Sequence, residues 1–569
     1  MTVFIYNQHP FSNISCAMKQ EDWRSVTPQF EQYRDNIKGF SSLSPLSFLD
    51  LQPRLRAALV QFEQLQNWTK VLLINSPDNA IYRNAVIDAI REEHLVPDER
   101  VVVKAETLDM RAILGEYKAM NGHVELMSEG LLSKANSGYL VVSANLIMAN
   151  PSAWMVLKSA LLGESVSPVS IDTKQIAIDP PSQKVNVKLI VIGDREQMSE
   201  LDYFDSDIQS GFCIFSEVEL ESKLSEETID AYLAYVKGLC LKFNLPMLDE
   251  SGLCRLIIAG TREREDQNAL PLCLQWHNSL LNEAAIESGF SQIEEAHIDD
   301  AIDKKYYRES YLPKRALDDI LEGQVFIETN GQQVGQVNAL TVVDVPGHPV
   351  SYGEPARISC VIHFGDGDIS DVERKAELGG NLHAKGMMIM QAFVSSALNL
   401  DEPLPYSASI VFEQSYCEVD GDSASLAELC CLVSALSGYP INQQIAVTGA
   451  VDQFGRVQAV GGLNEKIEGF YHVCKHQGFT GEQGVILPKS NLKHLALHKD
   501  VITSIKNDEF HLWSVENVDE AIAQITGKVF RGEGEDTIID KISERIDHFT
   551  REEIPHSFLH RIKNKLLGN

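Results

Sequence analysis

Two residues in this chain have the chemical type and the neighbours that acyl transfer needs. Ser423 stands in Asp420-Gly421-Asp422-Ser423-Ala424-Ser425, after the apolar segment SASIVFEQSYCEV, read as a strand. A helical segment follows, with Leu426, Leu429, Cys430, Val433 and Leu436 on one face and Gly438 as its stop. A serine at a strand-to-helix turn faces the unpaired N–H groups of the first helical turn and the positive end of the helix dipole. Such a place can hold the oxyanion formed when a hydroxyl attacks a carbonyl. A serine there can equally be a plain helix cap. Lys466 lies on a second helical segment, where Leu463, Ile467, Phe470 and Cys474 form an apolar stripe. It shares that inward face, whereas Glu465 and Glu468 point elsewhere. Burial strips solvent from an ammonium group and lowers its pKa, as a lysine acting as a neutral base towards a serine requires. The bland alternative is a packed stem with the amine reaching out to water.

The elements that must position this pair belong to a long chain. At 569 residues it is expected to form two to four domains. Residues 1–50 read as a polar, irregular segment. From 51 to about 220, VLLIN, VVVKA, GYLVV and KLIVIG alternate with helical stretches, the pattern of a parallel sheet. Residues 221–318 hold four successive helical patterns. A second α/β region fills 319–530, and in it VFIETNGQQVGQVNALTVVDV suggests two strands joined across Asn330-Gly331. Residues 531–569 read as a charged helical tail at the periphery. The fold class expected is α/β multidomain.

With these segments in place, DGDSAS followed by a lysine in GGLNEK resembles the catalytic core of Lon proteases. The form with FEQSY ahead of GDSAS is similar to the archaeal and B-type branch. GQVNAL (335–340), NLHAKG (381–386) and VTGAVDQFG (447–455) stand in the family's order. The resemblance is strong over about 320–525 and fainter over 50–320. It implies a degenerate AAA+ α/β module at 51–220, an all-helical lid at 221–318 and a Lon-type peptidase domain at 319–530. It also implies a serine endopeptidase whose nucleophile is Ser423 and whose general base is Lys466. Thr448 matches a threonine that helps hold the lysine, and Asp420 an acidic position near the dyad. Asp422, Glu413 and His383 are further supporting candidates, and for His383 a purely structural role is an equal alternative. An α/β-hydrolase is the competing reading, since Gly421-Asp422-Ser423-Ala424-Ser425 approaches G-x-S-x-G; Ser425 breaks that motif and Lys466 goes unused.

The same resemblance leads one to look for a nucleotide site, and its motifs are missing. After VLLIN the segment Ser76–Arg83 offers neither glycine nor a lysine followed by Ser or Thr. After GYLVV, Ser143-Ala144-Asn145 stands where an acidic magnesium ligand belongs. DSDIQSGFCIF and the lid segment PLCLQWHNSLL contain no arginine. The expectation is a module that keeps its fold without hydrolysing ATP, with no cofactor, although ATP and Mg remain what the family implies. ATP-dependent proteolysis, and a chaperone-like scaffold ring, are the alternatives. A homohexamer acting on peptides or unfolded proteins is the assembly the resemblance implies. A net charge of −32 argues against nucleic acid as a partner. No stretch of about 18 apolar residues suggests a membrane span. Ten cysteines without a C-x-x-C pair suit a reducing cytoplasm and leave a metal site without support.

Overall fold

Val71–Asn75, Tyr139–Ser143 and Lys188–Gly193 are apolar on both faces, and a strand of that kind is stable only in a sheet covered on both sides. In the computed structural model they lie in a five-stranded sheet, all parallel. Its order is 102–104, 139–143, 188–193, 71–75 and 213–217. The structure describes residues 20–92, 100–120, 123–171, 180–365, 367–398, 406–415, 419–532 and 536–552. The chain forms two compact units, one of Glu31–Leu256 with Leu270–Ala301, the other of Met1–Phe30, Ile257–Ala269 and Ile302–Asn569. The first unit holds the parallel sheet and a small three-stranded one made by Gly115–Met120, His123–Glu129 and Val169–Ser170. The helical run expected after 221 comprises Ile229–Lys242, Glu250–Arg264, Leu274–Glu287 and Glu295–Glu309, and Tyr311–Leu321 adds a fifth helix. No helix among the described residues is long and apolar enough to cross a membrane.

The second unit is built on a seven-stranded mixed sheet. In chain order its strands are β1 (Gln336–Val343), β2 (Tyr352–Phe364), β3 (Ile369–Asp371), β4 (Tyr406–Phe412), β5 (Ile445–Val447), β6 (Gln483–Pro488) and β7 (Phe510–Val515). Their order across the sheet is β3-β4-β2-β1-β5-β6-β7. The helices that frame the site and its core are α1 (Asn381–Ala397), α2 (Ser425–Ser437), α3 (Leu463–Gln477), α4 (Val518–Thr526) and α5 (Ile538–Glu552). Alternation along the strands serves two cores. Val337, Ala339 and Val447 pack with α1, α2, α4 and α5. Leu340 and Ala446 pack with α3 on the opposite face.

Four readings of the sequence need correction. Residues 326–329 form no strand, so there is no hairpin across Asn330-Gly331. Side-chain amides hold this stretch instead of a ladder: Asn338 donates to the Glu328 carbonyl, Gln477 to Ile327 and Gln483 to Thr329. The strand before Ser423 ends at Phe412, where Gln414 turns into the left-handed region with φ 57°. Every residue of α2 is buried, including Glu428, Ser434 and Ser437, so it is a core helix on all sides and not an amphipathic one. The described part of the tail is not peripheral. Ile538 and Ile542, four residues apart, join the core around α2, and the Arg545 guanidinium donates to the last α2 carbonyls at Ala435 and Leu436 (3.1 and 2.7 Å). Residues 553–569 and 1–19 lie outside the described residues.

The helix carrying Lys466 reaches its place through a crossing only glycine permits. A Cβ on Gly353 of β2 would stand 2.0 Å from the Glu465 carbonyl oxygen, and one on Gly469 of α3 would stand 2.0 Å from the Gly353 carbonyl oxygen. Strand and helix thus touch backbone to backbone beside Lys466. Gly469→Ala is expected to destabilise the protein by about 3 kcal/mol in urea unfolding, the upper end for over-packing. Gly461→Ala, with no atom within 4 Å of the new Cβ, is the control and should change stability by less than about 0.5 kcal/mol.

Candidate active site

Gly421, with φ 94°, lets the chain double back just before Asp422 and Ser423. The N-cap of α2 is Ala424, which has no side-chain cap, so Ser423 is not serving as a helix cap. Its hydroxyl instead accepts a 3.0 Å hydrogen bond from the Lys466 amine. Lys466 is only 3% exposed and does not reach out to water. Burial pulls its pKa down to about 8, opposed by the negative charge of Asp422. The two residues come from helices on opposite faces of the sheet and meet past the end of β5. There the Gly449 N–H donates to the Ser423 carbonyl (2.9 Å), and the Thr448 hydroxyl approaches the same oxygen at 3.4 Å. Leu426 N–H bonds the Gly449 carbonyl and the Ser425 hydroxyl accepts from Val451 N–H, so the turn is tied to the strand end on both sides of the serine.

The remaining sequence candidates separate. Thr448 is fully buried, and its hydroxyl touches the backbone of the serine. Asp420 is exposed and its carboxylate closes its own turn by accepting from Gly421 N–H. Glu413 is engaged on β2, accepting from the Ser359 hydroxyl at 2.7 Å and facing Arg357 at 4.0 Å. Glu465 and Glu468 both receive the Arg262 guanidinium, which offsets part of the negative charge on that side of α3. His383 lies away from solvent, with Nε2 3.0 Å from Asp371 and Nδ1 3.7 Å from Glu428. Sequence reasoning missed the buried Asp371, Glu373 and Glu428. A signal did exist for the last: one carboxylate inside the otherwise apolar run LAELCCLV has to meet a partner. No group of three His, Cys, Asp or Glu side chains among the described residues is arranged to hold a metal ion.

In the other unit, the segment expected to lack phosphate contacts follows strand 71–75. The buried Asp78 carboxylate is ion-paired with Arg83 and accepts a 2.5 Å hydrogen bond from Ser143, the residue that ends strand 139–143. Asn79 caps the helix Ala80–Glu92 by accepting from the N–H groups of Ile81 and Tyr82 (3.0 and 3.2 Å). Asn79 also donates to Gln275 (3.2 Å), and the Tyr82 hydroxyl accepts from Leu274 N–H (3.3 Å) at the start of helix Leu274–Glu287.

A proteolytic domain of known class covers the region of Ser423 and Lys466: residues 411–527 match the Lon protease (S16) C-terminal proteolytic domain, and residues 101–219 match the AAA domain of LonB-like proteins. The fold and the site therefore define a serine protease class in which an AAA-type domain comes first along the chain. The chain belongs to the Lon protease family. It is 37% identical to a Lon protease homologue of Escherichia coli over 94% of this chain and 97% of that one. Identity to the Haemophilus influenzae homologue is 41% over 72% of this chain and 68% of the relative. An archaeal Lon protease of Methanocaldococcus jannaschii is 36% identical over 22% of this chain and 17% of its own length.

An amine with a pKa of about 8 gains its base function as pH rises through that value. Labelling of Ser423 by a serine-directed phosphonate should therefore climb with a midpoint near pH 8. Lys466→Met should abolish the reaction without lowering the melting temperature, because the thioether loses no charge solvation on burial. A midpoint at an ordinary lysine value (~10.4) would count against the arrangement.

Proposed function

We propose that this protein is a Lon-type serine endopeptidase in which Ser423 is the nucleophile and Lys466 its general base, and that it works without hydrolysing ATP. The observation that carries the reading is the 3.0 Å hydrogen bond between a desolvated amine and a hydroxyl. In the first step the Ser423 oxygen attacks the scissile carbonyl while its proton passes to the neutral Lys466 amine. The resulting ammonium gives that proton to the leaving amine as the peptide bond breaks, and an acyl-enzyme remains. A water molecule, deprotonated by the same amine, then releases the acid and regenerates the serine. The oxyanion needs donors at the start of α2. Ser425 and Leu426 N–H are already bonded to Asp422 and Gly449, so the amides of Ser423 and Ala424 take this role. Thr448 supports the turn through the serine carbonyl, and Asp422 tunes the lysine by its charge.

The part of the reading that concerns ATP rests on the donor set around Asp78. A triphosphate needs amide donors, a lysine and a magnesium ligand. Here a carboxylate stands among them, the Arg83 guanidinium is paired with it, and a serine hydroxyl ends the neighbouring strand. These residues do not fit a triphosphate, since the negative charge already present would repel a second one. The substrate class we infer is peptides or already unfolded chains, handled by a homohexamer as the family resemblance implies. The eight described cysteines are all free thiols, which supports a reducing compartment such as the cytoplasm.

Degradation of unfolded casein should proceed at the same rate with and without ATP and stop in Ser423→Ala. Equilibrium dialysis with a labelled ATP analogue should show no binding at micromolar concentrations. Binding there would overturn the ATP-independent reading. Suppression of client aggregation without any cleavage would replace the peptidase with a scaffold.

A further inference from the structure

A second set of ionisable groups lies one helical turn from the nucleophile, and the chemistry above leaves it unused. Asp371, Glu373, His383 and Glu428 are each at most 8% exposed and come from three separate stretches of chain. His383 stands between two carboxylates, Asp371 at 3.0 Å from Nε2 and Glu428 at 3.7 Å from Nδ1, with the Phe412 ring edge-on at 5.9 Å. Acceptors facing both ring nitrogens favour the imidazolium, because a neutral ring has only one N–H. Glu373 is pinned by Phe412 N–H (3.0 Å), and the Asp371 carboxylate accepts from Glu373 N–H (3.1 Å). Asp371 Oδ2, Glu373 Oε2 and Glu428 Oε1 are left without a well-formed hydrogen bond. Three carboxylates around one imidazolium, in an otherwise apolar core, cannot all be charged without strong repulsion.

The cluster connects to the serine through two helices. His383 is in the first turn of α1 and Glu428 in the first turn of α2. One turn beyond His383, Gly386 brings α1 so close that a Cβ there would lie 3.1 Å from the Cβ of Asp422, the residue before Ser423. A displacement of α2 on α1 therefore moves the serine. We propose that Glu428, ionised against the His383 imidazolium, is a positioning residue that draws the start of α2 onto α1 and sets the Ser423 hydroxyl against Lys466. Among the described residues the charges acting on Glu428 are His383, Asp371 and Glu373, and its own burial raises its pKa to about 7. Burial lowers the pKa of His383, but the carboxylates of Asp371, Glu428 and Glu373 around the ring outweigh it and hold the group above its ordinary range. A cavity of about 310 Å³, lined in part by Asp371, Arg374, Met387 and Met388, borders the cluster at Asp371.

This inference rests on the Ser423–Lys466 reading, and one set of variants separates the two. Cleavage of a fluorogenic peptide is followed from about pH 5 to 9 in the full-length wild type, Glu428→Gln and Lys466→Met. Gln fixes the uncharged state. Glu428→Gln should fall about ten-fold below wild type in kcat at pH 8, with KM unchanged, and the two should converge near pH 5, where the wild-type carboxyl is protonated too. Labelling of Ser423 by a phosphonate should show the same convergence. A wild-type to Glu428→Gln ratio that stays constant across pH marks a merely structural defect and overturns the proposal, as does an unchanged kcat at pH 8. Retained activity in Lys466→Met overturns the dyad reading itself, whatever Glu428→Gln does.

Discussion

A lysine amine held out of water beside a hydroxyl is the constraint around which the second unit is arranged. An ammonium in that position would need counter-charges, and among the described residues Asp422 alone supplies one. The amine therefore has to be kept dry and in reach at once, and several features serve this. The glycine crossing of β2 and α3 sets the depth of the lysine helix. The Gly449 and Val451 contacts tie the serine turn to the end of β5 from the other face of the sheet. The clasp of Arg262 on Glu465 and Glu468 fixes the outer side of α3 while Lys466 points inward.

The legible part of this arrangement was the part written in period and spacing. Apolar runs announced the parallel sheet, and the stripe of Leu463, Ile467, Phe470 and Cys474 put Lys466 inward, where it is found. Gly438 stops α2 in the left-handed conformation its position suggested. What escaped were contacts between distant segments. The 326–329 stretch looks like a strand because its residues suit one, but three side-chain amides from elsewhere satisfy its carbonyls. The carboxylates of Asp371 and Glu373 sit in SDVERK, which reads as a solvated charge run until the fold closes over it. Site residues whose role depends on tertiary closure leave little local trace.

The first unit makes a complementary point about what holds an α/β module together. Its sheet is buried by its own apolar strands, with Trp154 and Leu157 among the fully covered side chains. Nothing in that core depends on a ligand. The ion pair of Asp78 with Arg83 and the contacts of Asn79 and Tyr82 with the helix at 274–287 satisfy internally the polar groups at the mouth of the sheet. An α/β module packed this way does not need phosphate-binding residues to keep its fold.

The C-terminal helix carries a consequence for how the molecule is made. Ile538 and Ile542 close the core over α2, and Arg545 ties off that helix's last carbonyls. A chain emerging from the ribosome will thus have translated both Ser423 and Lys466 well before the cover over α2 exists, and that helix stays exposed on one side until the residues around 545 are free to dock. Biosynthesis thereby sets an order on packing: a copy cut short before residue 545 leaves α2 open on one side, and that side closes only once Ile538, Ile542 and Arg545 have been made.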